Sequence, residues 1–248
     1  MDGIHWSSRR TFLGTLAVAA AGITLQQARR AAAEPPAPKE GGLSSEGLLT
    51  GQPGFHPRSA APLPYEELPG FLSRAQLAAH YAEYVKAVEA LKTAEQALST
   101  ASRAPANISA YAALRHQQVA SANAVLLHDF FFGNIAPAKV EVPAYVQRHM
   151  HEHMGSLESW AADFTACALA AQAWAALVYD PYDDRWHNTV MDSDVDGVWI
   201  GGNPLIVCDV SAHAYATDYP QREAYVAKFL EHIDWDAVAK RYHRVDRM

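Results

Sequence analysis

From Leu77 onward, the apolar and aromatic positions Leu77, Tyr81, Tyr84, Val88 and Leu91 recur every three or four residues. This spacing predicts a long helix that starts after Ser73 as N-cap and continues through Ala-rich sequence to about Leu98. The stretch from Ser102 to Ser109 reads as a connection, because Pro105 bars a continuous helix. A second helix is expected from Ser109 to Phe132, ending at Gly133-Asn134 with Pro137 beyond. Two long helices with so short a link form an antiparallel hairpin. Further helices are expected at Ala144 to His153 and Leu157 to Leu169. Strand-like runs follow at Trp174 to Tyr179, Trp186 to Asp192 and Leu205 to Val210. The stretch from Arg222 to Arg244 reads as helical again.

Ahead of this region the periodicity disappears. Residues 34 to 62 are rich in Pro, Gly and Ser and read as a flexible or extended linker. Residues 1 to 33 read as a twin-arginine signal peptide. Ser8-Arg9-Arg10-Thr11-Phe12-Leu13 is followed by an apolar stretch to Leu25 and by Ala31-Ala32-Ala33 before Glu34, a small-residue cleavage site. The apolar stretch is short for a bilayer span, which needs about 20 residues, so the expected product is free of the membrane after cleavage; an uncleaved anchor is the alternative. The expected location is periplasmic or extracellular. Two folded parts follow, residues 63 to 138 (the helical hairpin) and 139 to 248 (an α/β part).

Composition is that of an ordinary globular protein, 50% hydrophobic and 19% charged. The formal net charge of −7 excludes the basic face of a nucleic-acid partner; cleavage after Ala33 removes four Arg and one Asp and takes it to −10. Cys167 and Cys208 both lie in apolar runs and are expected as small core residues.

Among the 12 His, two occupy apolar surroundings on the hairpin: His80, mid-helix, and His128, within Leu126-Leu127-His128-Asp129-Phe130-Phe131-Phe132. On antiparallel helices these two can face each other, and buried ionisable groups need a partner. Asp209, after five apolar residues, and His213 sit where a buried strand runs out. Three imidazoles and one carboxylate suit iron or manganese with a position open to water or substrate. A second group, His149, His151 and His153, could bind a surface metal, since 149 and 153 are one turn apart; a solvated helix face is the expected reading.

Five segments, in order, resemble the iron/manganese superoxide dismutases. They are Leu63-Pro64-Tyr65 with Leu72-Ser73 and His80-Tyr81; Leu127-His128-Asp129-Phe130-Phe131-Phe132 with Ile135-Ala136-Pro137; Gly155-Ser156 with Phe164; Pro204 to Val210 with His213-Ala214-Tyr215 and Asp218-Tyr219; and Trp235 with Val238 to Tyr242. The resemblance implies an α+β fold, with an N-terminal helical hairpin and a C-terminal α/β part around a small three-stranded antiparallel sheet. It implies one Fe or Mn ion per chain held by His80, His128, Asp209 and His213, superoxide as substrate, and a homodimer.

The same resemblance exposes departures. The family's gateway Tyr and His positions hold Val88 and Tyr84. The iron-type Gln that holds the metal's water is Ala124, and the Glu that reaches across the dimer is Ala212, which implies an altered interface. Val207, two residues before Asp209, matches neither a clear manganese nor a clear iron pattern. Trp174 survives as a residue lining the site. Gln172, or an Asp of the segment Met191-Asp192-Ser193-Asp194, is the candidate replacement for holding water, and Tyr84 for a proton-linked phenol. Two functions follow from these expectations: an exported dismutase, or a metal-binding homologue with another redox or metal-handling role.

Overall fold

Ser73 starts the first helix as the sequence predicts. Its side chain accepts from the Gln76 N–H, and α1 runs Arg74–Thr100. In the computed structural model, residues 59–245 are described. The leader at 1 to 33 and the linker up to residue 58 lie outside them. The last linker residues are already attached to the folded part: Ala60 packs against the core, and the Ala61 N–H donates to the Tyr84 hydroxyl at 2.9 Å.

A 3₁₀ turn, Pro105–Asn107, links α1 to α2, Ile108–Phe132, and the two helices pack along each other as a hairpin. Leu77, Tyr84, Val88, Leu91 and Leu98 of α1 are buried against Val125, Leu127, Phe131 and Phe132 of α2. Helices α3 (Ala144–Met154) and α4 (Leu157–Ala170) follow, with Gly155 between them at φ +84. Strands β1 (Trp174–Asp180), β2 (Arg185–Met191) and β3 (Asn203–Asp209) form one antiparallel sheet in the order β2-β1-β3. In register, Trp174 lies opposite Met191 on one side and Asp209 on the other. Every residue of β1 is buried, because α2 covers β3 while α4 covers β1 and β2.

Four elements differ from the sequence expectation. The helix expected across Arg222 to Arg244 is two helices, α6 (Arg222–Glu231) and α7 (Trp235–Val245). Between them, Ile233 forms a bridge with Ile135, and Asp234 accepts from the Ala237 N–H at 2.9 Å, as a capping carboxylate does. A short helix, α5 (Ala212–Tyr215), follows β3. β3 itself starts at Asn203, and β2 at Arg185. Cys167 and Cys208 are both free thiols, half-buried and buried. Among the described residues, no helix is long and apolar enough to cross a membrane.

One buried amide joins the layers. Asn134, fully buried just after α2, accepts from the Val207 N–H at 2.7 Å and donates to the Phe131 carbonyl at 3.1 Å. Its backbone carbonyl accepts from the Asp234 N–H at 2.9 Å. The end of α2 is thereby fixed against β3, the strand that carries Asp209.

Candidate metal centre

Four elements converge on one point. α1 brings His80, α2 His128, the end of β3 Asp209, and α5 His213; one ligand atom from each lies within 4.8 Å of all the others. His80 and Asp209 are fully buried, His128 is 4% exposed, and the His213 side chain is 36% exposed, so the group opens on one side only. One Asp209 oxygen meets His80 Nε2 at 2.9 Å and His213 Nε2 at 3.0 Å. Those separations are also the edges of a coordination shell with bonds of about 2.0–2.2 Å.

Each ligand is held by something behind it. His128 Nδ1 is 2.7 Å from the Ala124 carbonyl, which only accepts; that nitrogen therefore carries the proton and Nε2 keeps its lone pair. Nε2 is buried and has no hydrogen-bond partner among the described residues, as befits a donor atom meant for a cation; His80 Nδ1 is likewise without one. Burial, and next the neighbouring His80, push His128 down to about 4, so the ring is neutral at ordinary pH. The other Asp209 oxygen accepts from the Ser211 N–H at 2.8 Å, and its backbone carbonyl from the Tyr225 hydroxyl at 2.8 Å. Burial alone would raise the Asp209 carboxyl, but hydrogen bonds from His213 and His80 outweigh it and hold it well below the usual range. For His213, burial acts downward while the bond to Asp209 raises it, and the net is upward. A buried anion among three imidazoles, one with a free lone pair, fits a divalent or trivalent cation of the iron/manganese class.

The open side is a cavity of about 430 Å³ lined by Glu83, Lys86, His128, Trp174, Asp194 and His213, with small residues (Ala87, Ala90, Ala120, Ala124) along its walls. Trp174 stands edge-on to His128, ring centroids 5.0 Å apart, and its indole N–H donates to Asp194 at 2.9 Å. Asp194 comes from the loop between β2 and β3, fixed where Asn123 donates to its carbonyl at 2.7 Å. The loop turns at Gly197 (φ +80), where a Cβ would come within 2.0 Å of the Val190 carbonyl oxygen. Partial burial is the main cause that raises the Asp194 carboxyl, with the charge of Asp209 adding to it.

The expected neighbours divide. Trp174 lines the site. Of the water-holding candidates, Gln172, Asp192 and Asp194, only Asp194 does: the Gln172 side chain is exposed, neither it nor Asp192 is in the lining, and the Gln172 backbone N–H donates to Asp192 at 3.1 Å. Gln172 precedes β1 on the solvent side, whereas the β2–β3 loop folds over the mouth. Tyr84 stacks on His128 at 5.7 Å, but its hydroxyl is taken by Asp129 and the Ala61 N–H, neither of which lines the cavity. Burial, reinforced by Asp129, raises Tyr84 to about 12. Val88 is buried in the hairpin. Sequence reasoning missed Gln76, fully buried on α1. It donates to the His213 carbonyl at 2.6 Å and accepts from the Thr217 N–H at 2.8 Å. A buried Gln four residues before a ligand His was the available signal.

Away from this centre, His149 and His153 are not on a solvated face as expected. Both are partly buried, stacked on each other at 5.6 Å, with His153 flat against Trp186; His151 is the exposed one.

The fold and the convergent His and Asp side chains are those of a metal-binding protein. Residues 143–241 match the model of the iron/manganese superoxide dismutases, C-terminal domain. The chain is 34% identical over 188 residues to manganese superoxide dismutases 1 and 2 of Haloferax volcanii, covering 74% of this chain and 94% of each relative. It is also 32% identical over 170 residues to the iron superoxide dismutase of Aquifex aeolicus, covering 67% and 80%. This chain belongs to the iron/manganese superoxide dismutase family.

Proposed function

We propose that the chain is an exported superoxide dismutase that holds one Fe or Mn ion through His80, His128, Asp209 and His213. The observation that carries this reading is the convergence of those four side chains, of which His128 and His213 line a cavity, with the His128 lone pair unclaimed. When bound, such an ion supplies the one-electron redox change by which two superoxide ions and two protons give dioxygen and hydrogen peroxide. The residues do the rest. His80 and Asp209, fully buried behind His128 and His213, set the charge of the site. Trp174 excludes water beside His128 and orients Asp194, the polar group placed to hold a water and a proton over the site. Tyr84 keeps its proton and acts as a positioning residue, bracing α1 against Asp129 on α2.

A reading without dismutation draws on the loss of the family's gateway Tyr, at Val88, and of its water-holding Gln, at Ala124, which lines the cavity. Asp194 weighs against it, since the mouth is not all apolar. The deciding experiment measures metal content and superoxide consumption on one sample, beside His128→Ala. Near-stoichiometric iron or manganese with consumption, both lost in the variant, is expected. A fully loaded protein that leaves superoxide untouched would sink the proposal.

Export rests on the twin-arginine pattern. Replacing Arg9 and Arg10 by Lys should strand the protein in the cytoplasm; unchanged secretion refutes that route. A homodimer without the family's inter-subunit Glu contact, given Ala212, is checked by light scattering.

A further inference from the structure

We infer that His149, Glu152 and His153 form a second cation site, on the α3 face and separate from the family centre. One donor atom from each of the three lies within 4.8 Å of the others. The spacing, i, i+3 and i+4, puts them on one helix face, and the run His149-Met150-His151-Glu152-His153 has the order of helical metal-binding pairs. Nδ1 of His149 and Nδ1 of His153 are both buried without a hydrogen-bond partner among the described residues, and so is the Trp186 indole N–H beside them. Three unclaimed polar atoms in one cluster point to a missing ligand and its water.

The geometry supports the same conclusion. His149 Nδ1 lies 3.4 Å from a Glu152 oxygen, beyond an ordinary N–H···O bond of about 2.7–3.2 Å. It matches the edge of about 3.3–3.4 Å between two donors on a tetrahedral ion with bonds near 2.05 Å. The rings are pre-set by packing. His153 lies parallel to Trp186 at 5.6 Å, and Tyr242 meets His149 edge-on at 4.7 Å.

The chemistry selects the ion class. Arg148 sits 4.0 Å from Glu152, and Arg185 donates to the Glu152 backbone carbonyl at 3.5 Å, so the local field does not favour a cation held by charge alone. Two imidazole lone pairs must supply the binding. They choose zinc, copper or nickel over calcium or magnesium, with water completing the shell.

The test uses the protein with its family centre already loaded. Titration with Zn²⁺ should add about one equivalent per chain, with Mg²⁺ giving none. Cu²⁺ should quench a fraction of tryptophan fluorescence that a Trp186→Phe variant lacks. His153→Gln should weaken Zn²⁺ binding at least about tenfold while the first metal stays bound. Should that variant misfold, Glu152→Gln removes a half-exposed ligand with no packing loss and is expected to weaken binding likewise. No extra equivalent, an equivalent that survives both substitutions, or equal uptake of Mg²⁺ would each overturn the site.

Discussion

Gln76 offers the sharpest test of how the candidate centre is held together. Its side chain is fully buried between α1 and α5, where it clamps the His213 carbonyl at 2.6 Å and the Thr217 N–H at 2.8 Å. Gln76→Leu nearly conserves volume, so no large cavity opens and the cost is that of two hydrogen bonds. At about 1 kcal/mol each, with Thr217 exposed enough for water to take over its N–H, the loss is about 2 kcal/mol. For a folded unit of this size that is roughly 4–8 °C in Tm. The loss falls on the turn that carries His213. If the metal must re-order that turn, affinity falls by up to about 30-fold, since each 1.4 kcal/mol is tenfold. Calorimetry reads the first number and chelator competition the second. A variant that melts within about 1 °C of the parent would refute the clamp. A lowered Tm with unchanged metal retention would refute the link between Gln76 and His213, and would shift that role to the neighbouring bonds from Ser73 to Asp218 at 2.6 and 2.7 Å.

Asn134→Ala should cost about 2–4 kcal/mol in urea unfolding, because the buried Val207 N–H loses its acceptor; a loss below about 1 kcal/mol would show that water replaces the amide. Asp194 titrates above its ordinary 3.8 in the fold, so the folded chain binds a proton that the unfolded chain gives up, and stability falls as pH climbs from the ordinary value through the raised one. In chelator-stripped protein, Asp194→Asn, which still accepts from Trp174, should therefore gain on the parent as pH rises and then keep a constant lead; a pH-independent difference rejects this. Metal removal should lower Tm by several degrees, since an ion at a thousandfold excess over its Kd adds about 4 kcal/mol; identical melts with and without chelator would argue against the site.

Most of the architecture was legible because its causes are local. The apolar spacing of Leu77, Tyr84, Val88 and Leu91 is the buried stripe of α1, and Ser73 is its cap. His80, His128 and Asp209 stood out as ionisable groups in apolar settings, His213 followed from its place after the buried strand and from the resemblance, and the fold brings those four together. The misses share another cause. The break between α6 and α7 depends on Ile233 reaching Ile135, a contact no local pattern encodes, although Asp234 carried a capping signal. Gln172 and Asp194 were equivalent on paper; only the path of the β2–β3 loop, turned at Gly197 and tied by Asn123, separates them. The stacking of His153 on Trp186 required a helix and a strand far apart in sequence to meet.

The departures from the family pattern become intelligible once the supports of the four ligands are separated into side-chain and backbone contacts. His128 is oriented by the carbonyl of Ala124, an atom that any residue at that position supplies, so the side chain there was free to shrink. Asp209 is fixed by the Ser211 N–H and the Tyr225 hydroxyl, and neither depends on Ala212. His213 is held through its own carbonyl by Gln76. The groups that position ligands are therefore backbone atoms and a few buried side chains behind the site; of the positions that changed, Ala124 lines the cavity, while Val88 and Tyr84 are buried in the hairpin. Such an arrangement lets the surroundings of the open side be rebuilt, with Asp194 entering from a loop, at little cost to the ligands. It also predicts where tolerance ends: substitution along the alanine walls should alter access and chemistry, whereas substitution at Gln76 or Tyr225 should loosen the ligands themselves.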